Sequence, residues 1–193
     1  MINDFYIEKE FFSDQEINEI INKITGDNRI ASIRTGGSYG DLWKPLSEFT
    51  FMDFFQHSNL HIERISQAFL TFEGLYAVDA KKVLKFVSDK YNLKVEELEC
   101  DSGQIQVYPP GSFIEPHSDK DYEGNLKVCA VLIPLNSRPE NANGGELVIG
   151  DYEYVPNKGD IITITMDTDT LHQVNHVKDW FRFVLTILVK EKL

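Results

Sequence analysis

The chain has 193 residues, 42% hydrophobic and 26% charged, a globular balance that excludes a disordered or collagen-like chain. A chain of this length buries roughly 70% of its unfolded surface in one core, without disulfide staples. The expectation is therefore a single domain over residues 1–193. Nineteen Lys+Arg against thirty-one Asp+Glu leave a net charge of −12, which argues against unspecific binding to nucleic acid or an anionic membrane.

Met1-Ile2-Asn3-Asp4-Phe5 lacks the basic region and apolar stretch of a signal peptide, and no apolar run approaches the ~20 residues of a membrane span. With Cys100 and Cys129 as the sole cysteines, a reducing cytoplasm is the expected setting. Up to about residue 100 the periodicity is mostly helical. Ser13-Asp14-Gln15-Glu16 reads as a capping box, with Ile17, Ile20, Ile21 and Ile24 on one helical face and Gly26 as the stop. Arg34-Thr35-Gly36-Gly37-Ser38-Tyr39-Gly40-Asp41-Leu42-Trp43-Lys44-Pro45 reads as a loop, either a cover for a pocket or a plain connector. A second helix is expected over residues 60–73, striped by Ile62, Ile65, Phe69 and Phe72. A third is expected over residues 79–91, with Val83, Leu84, Phe86 and Val87 inward.

From about residue 103 to 190 the pattern becomes strand-like. The runs are 104–108, 112–118, 127–135, 146–149, 152–155, 160–166, 172–177 and 182–189, separated by Pro, Gly and Asn turns. Strands this close together, without helical crossovers, favour an antiparallel arrangement. The expected fold is mostly β with flanking α: a double-stranded β-helix, or jelly roll, with the N-terminal helices packed on one sheet.

The informative histidine is His117, in Glu115-Pro116-His117-Ser118-Asp119. Residues two apart on a strand share a face, so His117 and Asp119 offer an imidazole nitrogen and a carboxylate oxygen side by side. His172, on a later strand, is the candidate third corner. Two histidines and a carboxylate leave open positions on a metal, the ligand set of non-haem iron(II) oxygenases. His176 has the same strand parity and is the rival to His172. Arg182 stands among Phe181, Phe183, Val184 and Leu185, where a guanidinium is costly unless an anion meets it. That anion is either a structural Asp or Glu or the far end of a dicarboxylate ligand. His57 and His61, at i,i+4 spacing, read as a solvated pair, and Cys129 as a buried inert thiol. Residues 119–123 read as a charged rim, and 138–145 as a turn.

The ordered set of Tyr108-Pro109-Pro110-Gly111, Pro116-His117-Ser118-Asp119, Gly144-Gly145-Glu146-Leu147, His172-Gln173-Val174 and Arg182 resembles the 2-oxoglutarate-dependent iron(II) oxygenases, nearest to their prolyl-hydroxylase-like branch. The resemblance spans residues 104–190. It implies that His117, Asp119 and His172 bind iron, that Arg182 pairs with the C5 carboxylate of 2-oxoglutarate, and that Tyr108 hydrogen-bonds this co-substrate. It also implies dioxygen as oxidant, ascorbate as an accessory reductant, and hydroxylation of a C–H bond with release of succinate and carbon dioxide. The expected substrate is a peptidyl proline or other protein residue, a free amino acid or a small metabolite. Asp119 favours hydroxylation, since halogenating relatives carry a small residue there. One departure is Asp179-Trp180-Phe181 before Arg182, where the family often has a glycine. The alternatives are a cupin-type metal-binding jelly roll without oxygenase activity, and a binding module with a dead site.

Overall fold

Alternation of side chains at period two organises this molecule, because its central strands bury one set of residues on each face. The computed structural model describes residues 4–25, 31–35, 42–46, 68–73, 75–108, 110–119, 127–166 and 169–192. In chain order the elements are β1 (Phe5–Glu8), α1 (Asp14–Thr25), β2 (Ala31–Thr35), β3 (Leu42–Leu46), β4 (Ala68–Glu73), α2 (Ala80–Tyr91), β5 (Leu98–Tyr108), β6 (Ile114–His117), β7 (Lys127–Pro134), β8 (Leu147–Ile149), β9 (Tyr152–Tyr154), β10 (Ile161–Thr165), β11 (His172–Val174) and β12 (Arg182–Glu191). Among the described residues the strands make two antiparallel sheets. The major sheet has the order β1-β10-β7-β12-β5-β4-β2-β3, and the minor sheet β6-β11-β8-β9.

One face of the major sheet carries Ile105, Val107, Val131, Ile133, Leu185, Ile187 and Val189. These pack with Ile17, Ile20 and Ile24 of α1 and Val83, Phe86, Val87 and Tyr91 of α2. The opposite face carries Tyr108, Leu132, Ile162, Ile164 and Val184, which meet Leu147, Ile149, Tyr154 and Val174 of the minor sheet. The two sheets thus enclose an interior and the helices cover the outside of one sheet, which is the jelly-roll arrangement expected from the sequence.

The capping box forms as expected: Ser13 Oγ accepts from the Glu16 amide at 3.3 Å, and the Ser13 amide donates to Glu16 Oε2 at 2.8 Å. Helix α2 is capped by the Asp79 carboxylate, which accepts from the Lys81 amide at 3.0 Å. Each of the eight expected C-terminal runs overlaps one strand of β5 to β12, although β5 begins at Leu98, ahead of the expected run 104–108, and β11 stops at Val174, short of the expected 177.

The helical reading of the N-terminal half needs correction. Residues 68–73 form β4, a strand paired with β5 through Leu70↔Val107 and Phe72↔Ile105. Phe69 and Phe72 fit a helical stripe, but a short apolar run has no decisive period, and pairing with β5 settles it. The segment read as a loop supplies parts of β2 and β3, which pair from Ala31↔Leu46 to Thr35↔Leu42. The rest of the expected second helix (60–67), residues 36–41, Gly26, the His57/His61 pair and rim residues 120–123 lie outside the described residues.

Cys100 and Cys129 are both free. Both stand opposite Val189, one on each side of β12, so about two strand spacings, ~9.5 Å, separate them, beyond disulfide reach. No described helix is long and apolar enough to cross a membrane.

Candidate metal and co-substrate site

Strand β11 lies in the minor sheet between β6 and β8, and its register decides the site. His172 is the Cα partner of both His117 on β6 and Ile149 on β8. His172 and Val174 are buried towards the enclosed interior, while Gln173 between them turns to the other face. There Gln173 Nε2 donates to Asn175 Oδ1 at 3.0 Å, Asn175 Nδ2 donates to Glu146 Oε2 at 3.3 Å, and Arg138 pairs with Glu146. This polar chain on one face and the apolar core on the other resist a one-residue slip, which would turn His172 outward.

Cross-strand pairing brings the two imidazoles to a centroid separation of 4.2 Å. Asp119 closes the group: its carboxylate oxygens lie 3.8 Å from His117 Nε2 and 3.6 Å from His172 Nε2. One ligand atom from each of the three residues falls within 4.8 Å of the others, close enough to share one metal ion. His117 Nδ1 lies 2.8 Å from the Glu115 carbonyl. A carbonyl only accepts, so Nδ1 carries the proton and Nε2 keeps the lone pair a metal needs. Burial pushes the His172 ring down to about 4; Asp119 opposes this and His117 adds to it, so the ring is neutral at neutral pH. Nδ1 of His172 is buried without a hydrogen-bond partner. Two imidazoles and one carboxylate suit a divalent first-row metal such as iron(II).

His176 does not join this group. Strand β11 ends at Val174, and the exposed His176 ring stacks on Phe113 at 3.9 Å. Equal parity with His172 holds only while a strand continues.

Arg182 opens β12, the strand between β5 and β7, and stands opposite Tyr108. It shares the interior-facing side with Val184 of the same strand. Only 2% of its surface is exposed, and its Nε and Nη1 have no hydrogen-bond partner. No carboxylate among the described residues pairs with it. Burial lowers its pKa, and Tyr108 and Tyr154 offset part of that cost. The guanidinium carbon sits 4.6 Å from the Tyr108 ring centroid, a cation–π contact. A buried cation with two unpaired nitrogens is a costly arrangement in isolation and a fitting receptor for a carboxylate.

Two interior residues carry polar contacts that the sequence reading did not single out. Gln106 Oε1 accepts from the Tyr108 hydroxyl at 2.8 Å and from Thr186 Oγ1 at 3.2 Å. The available signal was polar residues at alternate positions, Gln104, Gln106 and Tyr108, with Arg182 and Thr186 in phase on the paired strand.

Residues 103–190 match the family model described as the 2OG-Fe(II) oxygenase superfamily. No curated protein gives a significant sequence match to the chain. Among solved structures, the fold is similar to the viral collagen prolyl hydroxylase of Paramecium bursaria Chlorella virus-1 in its 2OG complex. That pair has a TM-score of 0.62 at 15% identity, covering 99% of this chain and 97% of that one. It is also similar to a prolyl hydroxylase in complex with a hypoxia inducible factor oxygen degradation domain peptide fragment from Trichoplax adhaerens, with a TM-score of 0.58, 13% identity, and coverage of 98% and 84%. A non-heme alpha-ketoglutarate-dependent epimerase from nogalamycin biosynthesis gives 0.63 at 8% identity, with coverage of 98% and 79%. At such identities the likeness carries the fold and not the reaction. Residues 103–190, which hold the His117, Asp119 and His172 group together with Arg182, thus match the 2OG-Fe(II) oxygenase superfamily, whose members work with iron(II), 2-oxoglutarate and dioxygen.

Proposed function

We propose that this protein hydroxylates an unactivated C–H bond of an amino-acid-type substrate, with His117, Asp119 and His172 as the iron(II) ligands and Arg182 as the partner of the distal carboxylate of 2-oxoglutarate. The observation that carries this reading is the buried Arg182, whose Nε and Nη1 have no partner while it faces the same interior as the metal-competent group. Iron(II), 2-oxoglutarate and dioxygen together supply the oxidising power for hydroxylation, with succinate and carbon dioxide as co-products.

The chain's own residues bind, orient and exclude water. Glu115 fixes the His117 tautomer, so the ring meets a metal with its Nε2 lone pair. Asp119 adds a carboxylate between the two rings. Arg182 binds one end of a dicarboxylate through its two spare donors, which orients the other end towards the metal ligands. Tyr108 lines this same end of the co-substrate site, and the apolar residues Leu132, Ile149, Ile164 and Val184 keep the interior dry. A cupin-type binder without oxygenase activity would give Arg182 no task.

For the substrate, a protein residue such as peptidyl proline is favoured over a free amino acid or small metabolite. The support is that two of the similar structures are prolyl hydroxylases, one of them holding a peptide. A cytoplasmic setting belongs to this reading, since the fold leaves both thiols unbridged.

The test is anaerobic titration of the iron(II)-loaded protein with 2-oxoglutarate. Arg182→Met is expected to weaken 2-oxoglutarate by at least roughly tenfold, the cost of a charge-assisted hydrogen bond, while iron(II) binding is kept. Unchanged co-substrate affinity removes Arg182 from this role. Succinate release across proline-containing peptides and free amino acids then identifies the substrate class.

A further inference from the structure

The two histidines of the minor sheet belong to a register row that runs on past them. His117 on β6 is opposite His172 on β11, His172 is opposite Ile149 on β8, and Ile149 is opposite Tyr152 on β9. Directly opposed residues share a face, so Tyr152 stands on the interior face with the metal-competent group. The row ends at Tyr152, because β9 is the edge of the minor sheet. There Tyr152 meets Phe5 at a ring-centroid separation of 5.3 Å. Phe5 belongs to β1, the edge of the major sheet, and is opposite the interior-facing Ile164.

Contact with Phe5 does not bury Tyr152. Its surface is 45% exposed, and that of Leu171, next to His172, is 53% exposed. The Leu171 carbonyl accepts from the Gly150 amide at 2.9 Å, which sets it beside the β8–β9 turn. Leu171, that turn and Asp119 lie at one end of the minor sheet, because β6 and β8 end there and β9 and β11 begin there. An apolar rim thus adjoins the metal-competent group. Strands lie about 4.8 Å apart, so along the row Tyr152 is roughly 9.5 Å from His172 and roughly 14 Å from His117. A point between the two histidines is then roughly 12 Å from Tyr152. Extended chain advances about 3.3 Å per residue, so about three to four residues bridge that distance. A free amino acid does not.

We propose that Tyr152, with Phe5 and Leu171, forms a subsite for an extended polypeptide substrate and receives an apolar side chain about three to four residues from the residue at the metal. The inference rests on the reading above that the substrate is a protein residue, and it names where the neighbours of that residue bind. The exposed Asp151 beside Tyr152 makes the same rim unfavourable to an acidic side chain.

The test uses the iron(II)-loaded protein with 2-oxoglutarate and glycine-based peptides. Each peptide has a randomised central residue and a single leucine, placed from one to five residues away on either side. Succinate release gives a KM for each peptide. In the wild type, leucine three or four residues from the centre is expected to lower KM roughly four- to tenfold relative to glycine, the effect of half-burying a leucine. Tyr152→Ala is expected to bring that ratio to about one, and Tyr152→Phe, which keeps the ring, to restore it. The ratio is internal to each variant, so a reduced folded fraction does not move it. Leu171→Ala, at a more exposed position, is expected to lower the ratio too, and it carries the test should Tyr152→Ala fail to fold. A wild type indifferent to leucine, or a ratio unchanged in the alanine variants, overturns the subsite. Peptides oxidised without any preference leave the protein-residue reading standing and remove only the subsite. Oxidation of no peptide at all removes both.

Discussion

Arg182 and His172 are two ionisable groups in one interior, and burial acts on them in opposite functional senses. Burial keeps His172 neutral, as a metal ligand must be, while Arg182 stays charged with two nitrogens waiting for an anion. Asp119 is the carboxylate within reach of both rings. Removing it strips one of three ligands and the negative charge between them. Asp119→Ala is expected to weaken iron(II) by at least roughly a hundredfold, since even an outer-sphere partner of a ligand is worth 10- to 100-fold. Anaerobic iron(II) titration measures this, and binding as tight as in the wild type contradicts the ligand assignment. The pairing of His117 with Asp119 was expected from strand parity, but β6 ends at His117 and Asp119 reaches the group from beyond the strand. The choice of His172 over His176 came from the family resemblance, since parity alone could not say where β11 stops.

The first helix shows how a local signal survives into the folded state. The Glu16 carboxylate accepts from the Ser13 amide and also meets Lys82 Nζ at 2.6 Å. Lys82 and the Ser13 amide hold its pKa down, from 4.5 to about 2. A group depressed in the folded state stabilises fully above its unfolded pKa and loses that contribution as pH falls from about 4.5 through about 2. Glu16→Gln is therefore expected to destabilise the protein at pH 7 by under about 1 kcal/mol, as the pair is solvent-screened. The difference from wild type should vanish near pH 2, read as urea midpoints at the two pH values. A gap that persists at the acid end would show that the carboxylate charge is not what matters. The capping box was readable because its partners sit three residues apart, whereas Lys82 is 66 residues from Glu16 and no spacing announces it. Strand β4 is the opposite case: its local pattern pointed to a helix, and β5 overruled it.

At the scale of the whole molecule, the metal-competent group spans β6, β11 and the residues after β6, and Arg182 reaches the same interior from the other sheet. A ligand set that spans both sheets exists only in the folded state, so what it binds must stabilise the fold. Iron(II) with 2-oxoglutarate at about a hundred times their dissociation constants is expected to add about 2.7 kcal/mol. For a chain of this size that is a rise in melting temperature of roughly 5–10 °C, measured anaerobically by calorimetry. His172→Ala should abolish the rise, and an unshifted melting temperature in the wild type would deny the site any folded-state preference for these ligands.

The sequence alone determined the antiparallel strand series, the capped first helix and the anomaly of an arginine in an apolar strand. Each of these is carried by residues close together in the chain, where period and spacing fix geometry. Only the tertiary structure decided that His172 and not His176 meets His117, that residues 68–73 are a strand, and that Gln106 takes the Tyr108 proton. Those outcomes depend on register between strands far apart in sequence, and register is set by which faces the assembled core buries.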